Sequence, residues 1–262
     1  MKYEEKYVAF LDVLGFSSFV KKENNIEIVS QLFDFINKLC YFFNSSPELL
    51  IQASFFSDSI VFISEKLGTL LIAISLAEGY VSNEMGLLFR GGISWGKTYM
   101  SNNMIFGPGL IDAYEIQKKA IYSRIIIHDS VKEDLSECLD AYSDIDGYRC
   151  VNPFSVCMHN QTSFGSEGAS YPDGDPEQVI LSIFSEERKK LIDKILQYYG
   201  NPVVEKYFWR IRPFNYTCQK LSDEPKLISM FHEMKYIPSN QFKEDLLSCQ
   251  IDPSQLITLV SK

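Results

Sequence analysis

Histidine is scarce in this sequence, with only three residues, and none of the six cysteines forms a C-x-x-C pair. A structural zinc site needs such ligands at close spacing, so none is expected. The opening stretch, MKYEEKYVAF, has acids where a secretory signal has its basic region. No apolar run approaches the length needed to span a membrane. Basic charge is also in deficit. The formal net charge of −9 excludes a protein that coats nucleic acid, because neutralising many phosphates needs a basic face. A small phosphorylated ligand is not excluded, since a metal or a few backbone amides can meet its charge. These absences together imply a cytoplasmic protein with reduced, mostly buried cysteines and no membrane or nucleic-acid partner.

Apolar and aromatic residues are plentiful at 46% and 14%, enough to bury a sizeable core in one large domain or two small ones. Tyr7 to Leu11 is a compact apolar strand. Residues 26–43 have helical periodicity until NSSP breaks it. LLIQASFFSDSIVFIS reads as two short strands around Ser57-Asp58, a hairpin. A second helix over 67–81, a Gly-containing strand in LLFRGGISWGKTYMS, a third helix over 110–120 and a strand in RIIIH follow. The order strand, helix, strand, strand, helix, strand predicts an α+β fold on a ferredoxin-like βαββαβ plan. Its sheet should be antiparallel or mixed, with the helices on one face. Residues 160–178 are polar and rich in Gly, Pro and Ser, which reads as a loop. A charged amphipathic helix over 186–199 and an aromatic helix around VVEKYFWRIRPFN come next. The expected organisation is a domain over 1–178 with a C-terminal helical extension over 179–262 packed on it.

The stretch YVAFLDVLGFSSFV is unusual in ending an apolar strand on an acid, Asp12. A carboxylate there is costly to bury unless something neutralises it. On the ferredoxin-like plan the first strand lies beside the hairpin, which brings Asp12 and the hairpin acid Asp58 to one sheet edge. Two carboxylates so close call for a cation. Their hard oxygens suit Mg²⁺ or Mn²⁺, which take one or two carboxylates plus substrate phosphates. After Asp12, the backbone amides of Gly15, Phe16 and Ser17 would stand at a helix start, where phosphate oxygens bind, and Gly15 allows close approach. Taken singly, an Asp before a helix is usually a cap or a surface residue. The combination and its order are what point to chemistry.

These segments resemble the catalytic domain of class III nucleotide cyclases. LDVLGFSSF is similar to the first strand of that family, and SFFSDSIVF to its metal-bearing hairpin. LFRGGISWG resembles its Arg-x-Gly-Ile-x-x-Gly strand, and IFGPGLIDAYEIQ the glycine-led entry to the next helix. The resemblance covers residues 7–128. It implies two Mg²⁺ or Mn²⁺ ions per site bridged by Asp12 and Asp58, with the Val13 carbonyl as a further ligand. It also implies a homodimer with sites at the interface, and a phosphate-stabilising Arg90 unless that side chain makes a structural ion pair.

The departures narrow the expectation. A purine-reading Lys or Glu four residues before the hairpin acid is replaced by Ser54, with Phe56 on the same side of the strand. The Asn and Arg of the family's third helix are missing, the nearby residues being Asp112, Tyr114, Glu115 and Lys119. With GPGLIDAYEIQ and YSRIII, the pattern looks more like the bacterial pyrimidine cyclases of Pycsar anti-phage defence. That resemblance implies conversion of UTP, or CTP, to the 3′,5′-cyclic monophosphate and pyrophosphate, with Ser54, Phe56 and Tyr114 as candidate base-pocket residues. Two other readings stay open: a purine nucleotide cyclase, and a degenerate cyclase-like module that binds nucleotide or a partner without catalysis. A diguanylate-cyclase palm is disfavoured, because FSDSIV lacks the Gly-Gly-acid-acid-Phe hairpin.

Overall fold

The computed structural model describes residues 2–16, 20–21, 26–101, 104–135, 138–155, 175–228, 231 and 235–260. The chain divides into two compact units, one of residues 1–137 and 143–151, the other of 138–142 and 152–262.

The first unit is built on β1 (Glu4–Val13), α1 (Ile26–Asn44), β2 (Ile51–Phe56), β3 (Ser59–Ser64), α2 (Leu67–Met85) and β4 (Phe89–Ser101). These strands lie in the order β2-β3-β1-β4, and every neighbouring pair is antiparallel. That is the ferredoxin-like arrangement. β5 (Met104–Phe106) pairs with the end of β4, α3 (Pro108–Gln117) follows, and β6 (Ile125–Ile127) joins β4 in parallel. The sheet is therefore mixed and the fold class α+β, as the sequence predicts.

The central strands show why the sheet forms here. Residues 7–11 of β1 and all of β3 are buried on both faces, which fits their near-continuous apolar sequence better than strict alternation would. One face, through Ala53, Phe55 and Phe62, meets α1: Phe33 stands 6.1 Å from Phe55 and Phe43 meets Phe62 edge-on at 5.8 Å. α2 lies beside α1, with Phe35 stacked on Tyr80 at 4.0 Å. It ends at Gly86, whose left-handed conformation closes the last turn.

The expectation of helices on one face is corrected by α3. This helix covers the opposite face, where Val8, Phe10, Val61, Ile63 and Ala113 form one apolar cluster. Gly92 makes the approach possible, because a Cβ there would fall inside contact distance of the Ala113 carbonyl oxygen and Ile116 Cγ2. The third helix also begins and ends earlier than 110–120, with Pro108 set at its first turn.

Beyond β6, a short strand β8 (Arg149–Val151) pairs antiparallel with it. Arg124, entering β6, is buried and bonds Asp144 at 2.8 Å and Asp146 at 2.6 Å. Asp144 is also fully buried, so this is a charge pair that fixes the turn between the last two strands.

In the second unit, β7 (Ala141–Ser143) begins within the segment 138–142, and the rest is helical: α4 (Pro176–Gln197), α5 (Val204–Asp223), α6 (Asn240–Ser248) and α7 (Pro253–Val260). The charged helix starts ten residues before the expected 186. Asp175 caps it by accepting from the Glu177 amide, with Pro176 in the first turn. The predicted loop over 160–178 falls largely outside the described residues. The aromatic helix is α5; its Thr217 bonds buried Asn152. Glu177 accepts from both the amide and hydroxyl of Ser239, the cap of α6. Cys40, Cys150, Cys218 and Cys249 are buried and unbridged.

Gly92→Ala should cost about 1–3 kcal/mol, because the new methyl must push α3 off the sheet. A urea midpoint unchanged from the parent protein would show that α3 has room to give.

Candidate active site

Asp12 is the last but one residue of β1, opposite Ser59 of β3 and Arg90 of β4. The β2–β3 turn consists of Ser57 and Asp58, and Ser57 takes φ +53, the positive value that two-residue hairpin turns require. The turn is tied to the end of β1 by a hydrogen bond in which the Val13 amide donates to the Asp58 carbonyl oxygen at 3.1 Å. These constraints bring residue 58 beside the end of β1, near enough for the Asp58 charge to act on the Asp12 carboxyl.

Arg90 pairs with Asp12. Its Nε and Nη2 donate to Asp12 Oδ2 at 2.9 and 2.8 Å. Gln117, at the end of α3, donates to the same oxygen from Nε2 at 3.4 Å. Burial raises the Asp12 pKa above the usual carboxylate range, and the Asp58 charge adds to this, while the Arg90 guanidinium pulls the other way. A side chain only 15% exposed thus holds a carboxylate whose one guanidinium does not cancel its burial and its acidic neighbour.

A cavity of about 680 Å³ opens beside this pair, within the range of small-molecule sites. Phe10, Phe56 and Tyr114 form its aromatic wall, and Asp12, Arg90 and Gln117 its polar end. Phe10 lies 6.2 Å from Phe56 and 5.3 Å, edge-on, from Tyr114. The Lys118 ammonium sits 4.3 Å over the Tyr114 ring.

The structure thus brings together Asp12, Asp58 and Arg90, and places Phe56 and Tyr114 in the adjoining cavity. Ser54 is half-buried on β2, opposite Val61, and does not line the cavity. Gly15 follows β1 with φ +79, and the Phe16 ring turns onto Phe33 of α1 at 6.1 Å. Ser17 lies outside the described residues. Val13 is buried, with its amide committed to Asp58. Glu115 pairs with Lys118 at 2.7 Å, and neither Asp112 nor Lys119 lines the cavity. Among the contributors that escape a sequence reading are Phe10, which resembles any core aromatic, and Gln117. Only the position of Gln117, one turn after Tyr114 on the same helix, signals its place.

Among the described residues no cluster of three or more His, Cys, Asp or Glu is present. The donor set is the two carboxylates. It fits a hard divalent cation that takes its remaining ligands from phosphate and water, and it does not fit zinc. Arg90 and Gln117 both address Oδ2, and no donor among the described residues reaches Oδ1.

No family model matches the chain, and no curated protein matches it. Among solved structures, an adenylate/guanylate cyclase/hydrolase from Silicibacter pomeroyi aligns over 57% of this chain and 95% of its own, at 12% identity and TM-score 0.44. The monomeric guanylyl cyclase domain of the RhoGC fusion protein from Blastocladiella emersonii aligns over 58% and 96%, at 11% identity and TM-score 0.45. A bacterial light-regulated adenylyl cyclase aligns over 58% and 92%, at 18% identity and TM-score 0.38. Among the described residues no helix is long and apolar enough to cross a membrane.

In metal-free protein the two acids should behave oppositely. Asp12→Ala strands Arg90 and the buried Gln117 amide, and should cost about 1–3 kcal/mol. Asp58→Ala removes a like charge and should leave stability equal or higher. Thermal unfolding in chelator checks this; equal losses would mean that the carboxylates do not repel in the folded state.

Proposed function

We propose that this protein is a nucleotide cyclase that converts a pyrimidine nucleoside triphosphate, UTP or CTP, to the 3′,5′-cyclic monophosphate and pyrophosphate. The observation that carries the reading is that β1 and the hairpin turn bring residues 12 and 58 together at a cavity lined by Asp12 and by Phe10, Phe56 and Tyr114. In the reaction the 3′ oxygen bonds to the α-phosphorus, the bond from that phosphorus to the pyrophosphate oxygen breaks, and the hydroxyl proton is released.

Asp12 and Asp58 would hold Mg²⁺ or Mn²⁺, two ions in the full site, with the Val13 carbonyl as a further candidate ligand. Bound there, the metal supplies charge that acidifies a sugar hydroxyl and braces a triphosphate. Arg90 holds Asp12 in place and adds positive charge at the polar end of the cavity. Phe10, Phe56 and Tyr114 offer ring faces and edges to a base. The backbone turn at Gly15 and Phe16, with Ser17 beyond it, is the candidate seat for phosphate oxygens.

Pyrimidine choice rests on the sequence resemblance and on the bulk of Phe56, which is 59% exposed at the cavity. Ser54 would act from outside the cavity lining. The same resemblance supports a homodimer in the bacterial cytoplasm whose cyclic product serves as a messenger in anti-phage defence. The exposed apolar residues Phe56, Met104, Ile111 and Tyr114 of the first unit suit coverage by a second copy.

A second reading has its own observation. Arg90 already gives Asp12 a counter-charge, as expected of a nucleotide- or partner-binding module without catalysis. Incubation with equal ATP, GTP, CTP and UTP plus Mn²⁺, with products resolved by mass, separates the readings. Cyclic UMP or CMP should predominate, and Asp12→Ala or Asp58→Ala should cut turnover by several orders of magnitude. Cyclic AMP or GMP would overturn pyrimidine choice alone. No cyclic product from folded protein would leave the binding module.

The dimer is tested separately. Ile111→Glu should yield a folded monomer with little activity, measured by sedimentation and turnover. A parent protein that sediments as a monomer while fully active would refute a shared site.

A further inference from the structure

Gln117 is a buried polar residue at this site that no catalytic reading requires. It is 4% exposed, and as the last residue of α3 it brings a carboxamide into the cavity wall. Its side chain makes one hydrogen bond, to Asp12 Oδ2. Burying an amide is costly unless its bonds are made, and an apolar residue would pack this end of the helix without that cost. The packing there is tight: the Gln117 backbone nitrogen lies 2.8 Å from where a Gly92 Cβ would stand. Gly92 is two residues from Arg90 on the same strand. β4 therefore sets both groups that hold Asp12, Arg90 directly and Gln117 through the seating of α3.

We infer that Gln117 is a positioning residue that, with Arg90, fixes Oδ2 of Asp12 and thereby presents Oδ1 and the Asp58 carboxyl together to one divalent cation. This rests on the reading of Asp12 and Asp58 as a shared cation site. Arg90 supplies charge from β4, and Gln117 supplies a neutral donor from α3. Three donor nitrogens from two side chains on one oxygen restrict rotation of the carboxylate, and hydrogen bonds to a metal-holding carboxylate are where affinity is set from behind the ligands. Gln117 touches neither the cation nor the nucleotide in this role.

The probe is Mn²⁺ alone, its free concentration followed by electron paramagnetic resonance during titration into the full chain. Gln117→Met keeps length and packing while removing the donor. It should weaken Mn²⁺ binding by about 10–100-fold, with its thermal transition close to the parent's. In turnover, kcat should fall and the Mn²⁺ requirement rise, while KM for the nucleotide at saturating Mn²⁺ stays unchanged. If Gln117→Met fails to fold, Gln117→Leu carries the same expectation. Parent-like Mn²⁺ affinity in a folded variant would overturn the positioning role alone, and so would a rise in nucleotide KM with metal affinity intact. Parent protein whose Mn²⁺ binding is untouched by Asp58→Ala would overturn the shared cation site itself, and this inference with it.

Discussion

The approach of the hairpin acid Asp58 to Asp12 at the end of β1 is the constraint around which the site is arranged. It is enforced by backbone, not by attraction between the side chains. Register places Asp12 opposite Ser59, the residue after the hairpin tip, and the Val13 amide bonds the Asp58 carbonyl. Sheet hydrogen bonding thus holds together two groups that repel when ionised. Burial first, and the Asp58 charge after it, raise the Asp12 pKa. Arg90 offsets part of the rise. A fold that keeps Asp12 in a cavity wall with a second acid near it has a place where a cation improves the electrostatics.

β4 is the common support. It contributes Arg90 directly, and its Gly91 and Gly92 let neighbours pack where any side chain would intrude. The seat of α3 on Gly92 then delivers three functions from one helix. Ala113 completes the core against Val8 and Phe10, Tyr114 extends the aromatic wall, and Gln117 reaches Asp12. Packing, cavity shape and carboxylate orientation are coupled through this one close approach, and a disturbance at Gly92 reaches all of them. Arg124 plays a separate part. Paired with Asp144 and Asp146, it closes the far side of the sheet and leaves the site alone.

Much of the ferredoxin-like core could be read from sequence because its signals are local. An apolar run ended by Asp12, a hairpin turn at Ser57-Asp58 and an Arg-Gly-Gly strand each announce themselves within a few residues. The side of the sheet that α3 covers is not local information. It depends on Gly92 meeting Ala113 across the packed layer, and no periodicity within the helix tells one face from the other. Gln117 was hidden for the same reason. It is 105 positions from Asp12, and a glutamine at the end of a helix ordinarily faces water. Ser54 illustrates the reverse. Alternation puts it on the same side as Phe56, yet the cavity is lined by Phe56 at the strand end and stops short of Ser54.

The charges at the polar end of the cavity bear on how a substrate would enter. Asp12 and Asp58 oppose a triphosphate, while Arg90 and Lys118, which also lines the cavity over the Tyr114 ring, favour it. A divalent cation held by the two carboxylates would offset their charge and tip that balance toward the anion. Metal and triphosphate are thus expected to bind with positive cooperativity, each lowering the electrostatic cost of the other. On the proposed reading, base selection would rest on Phe10, Phe56 and Tyr114, and cation affinity on the groups around Asp12.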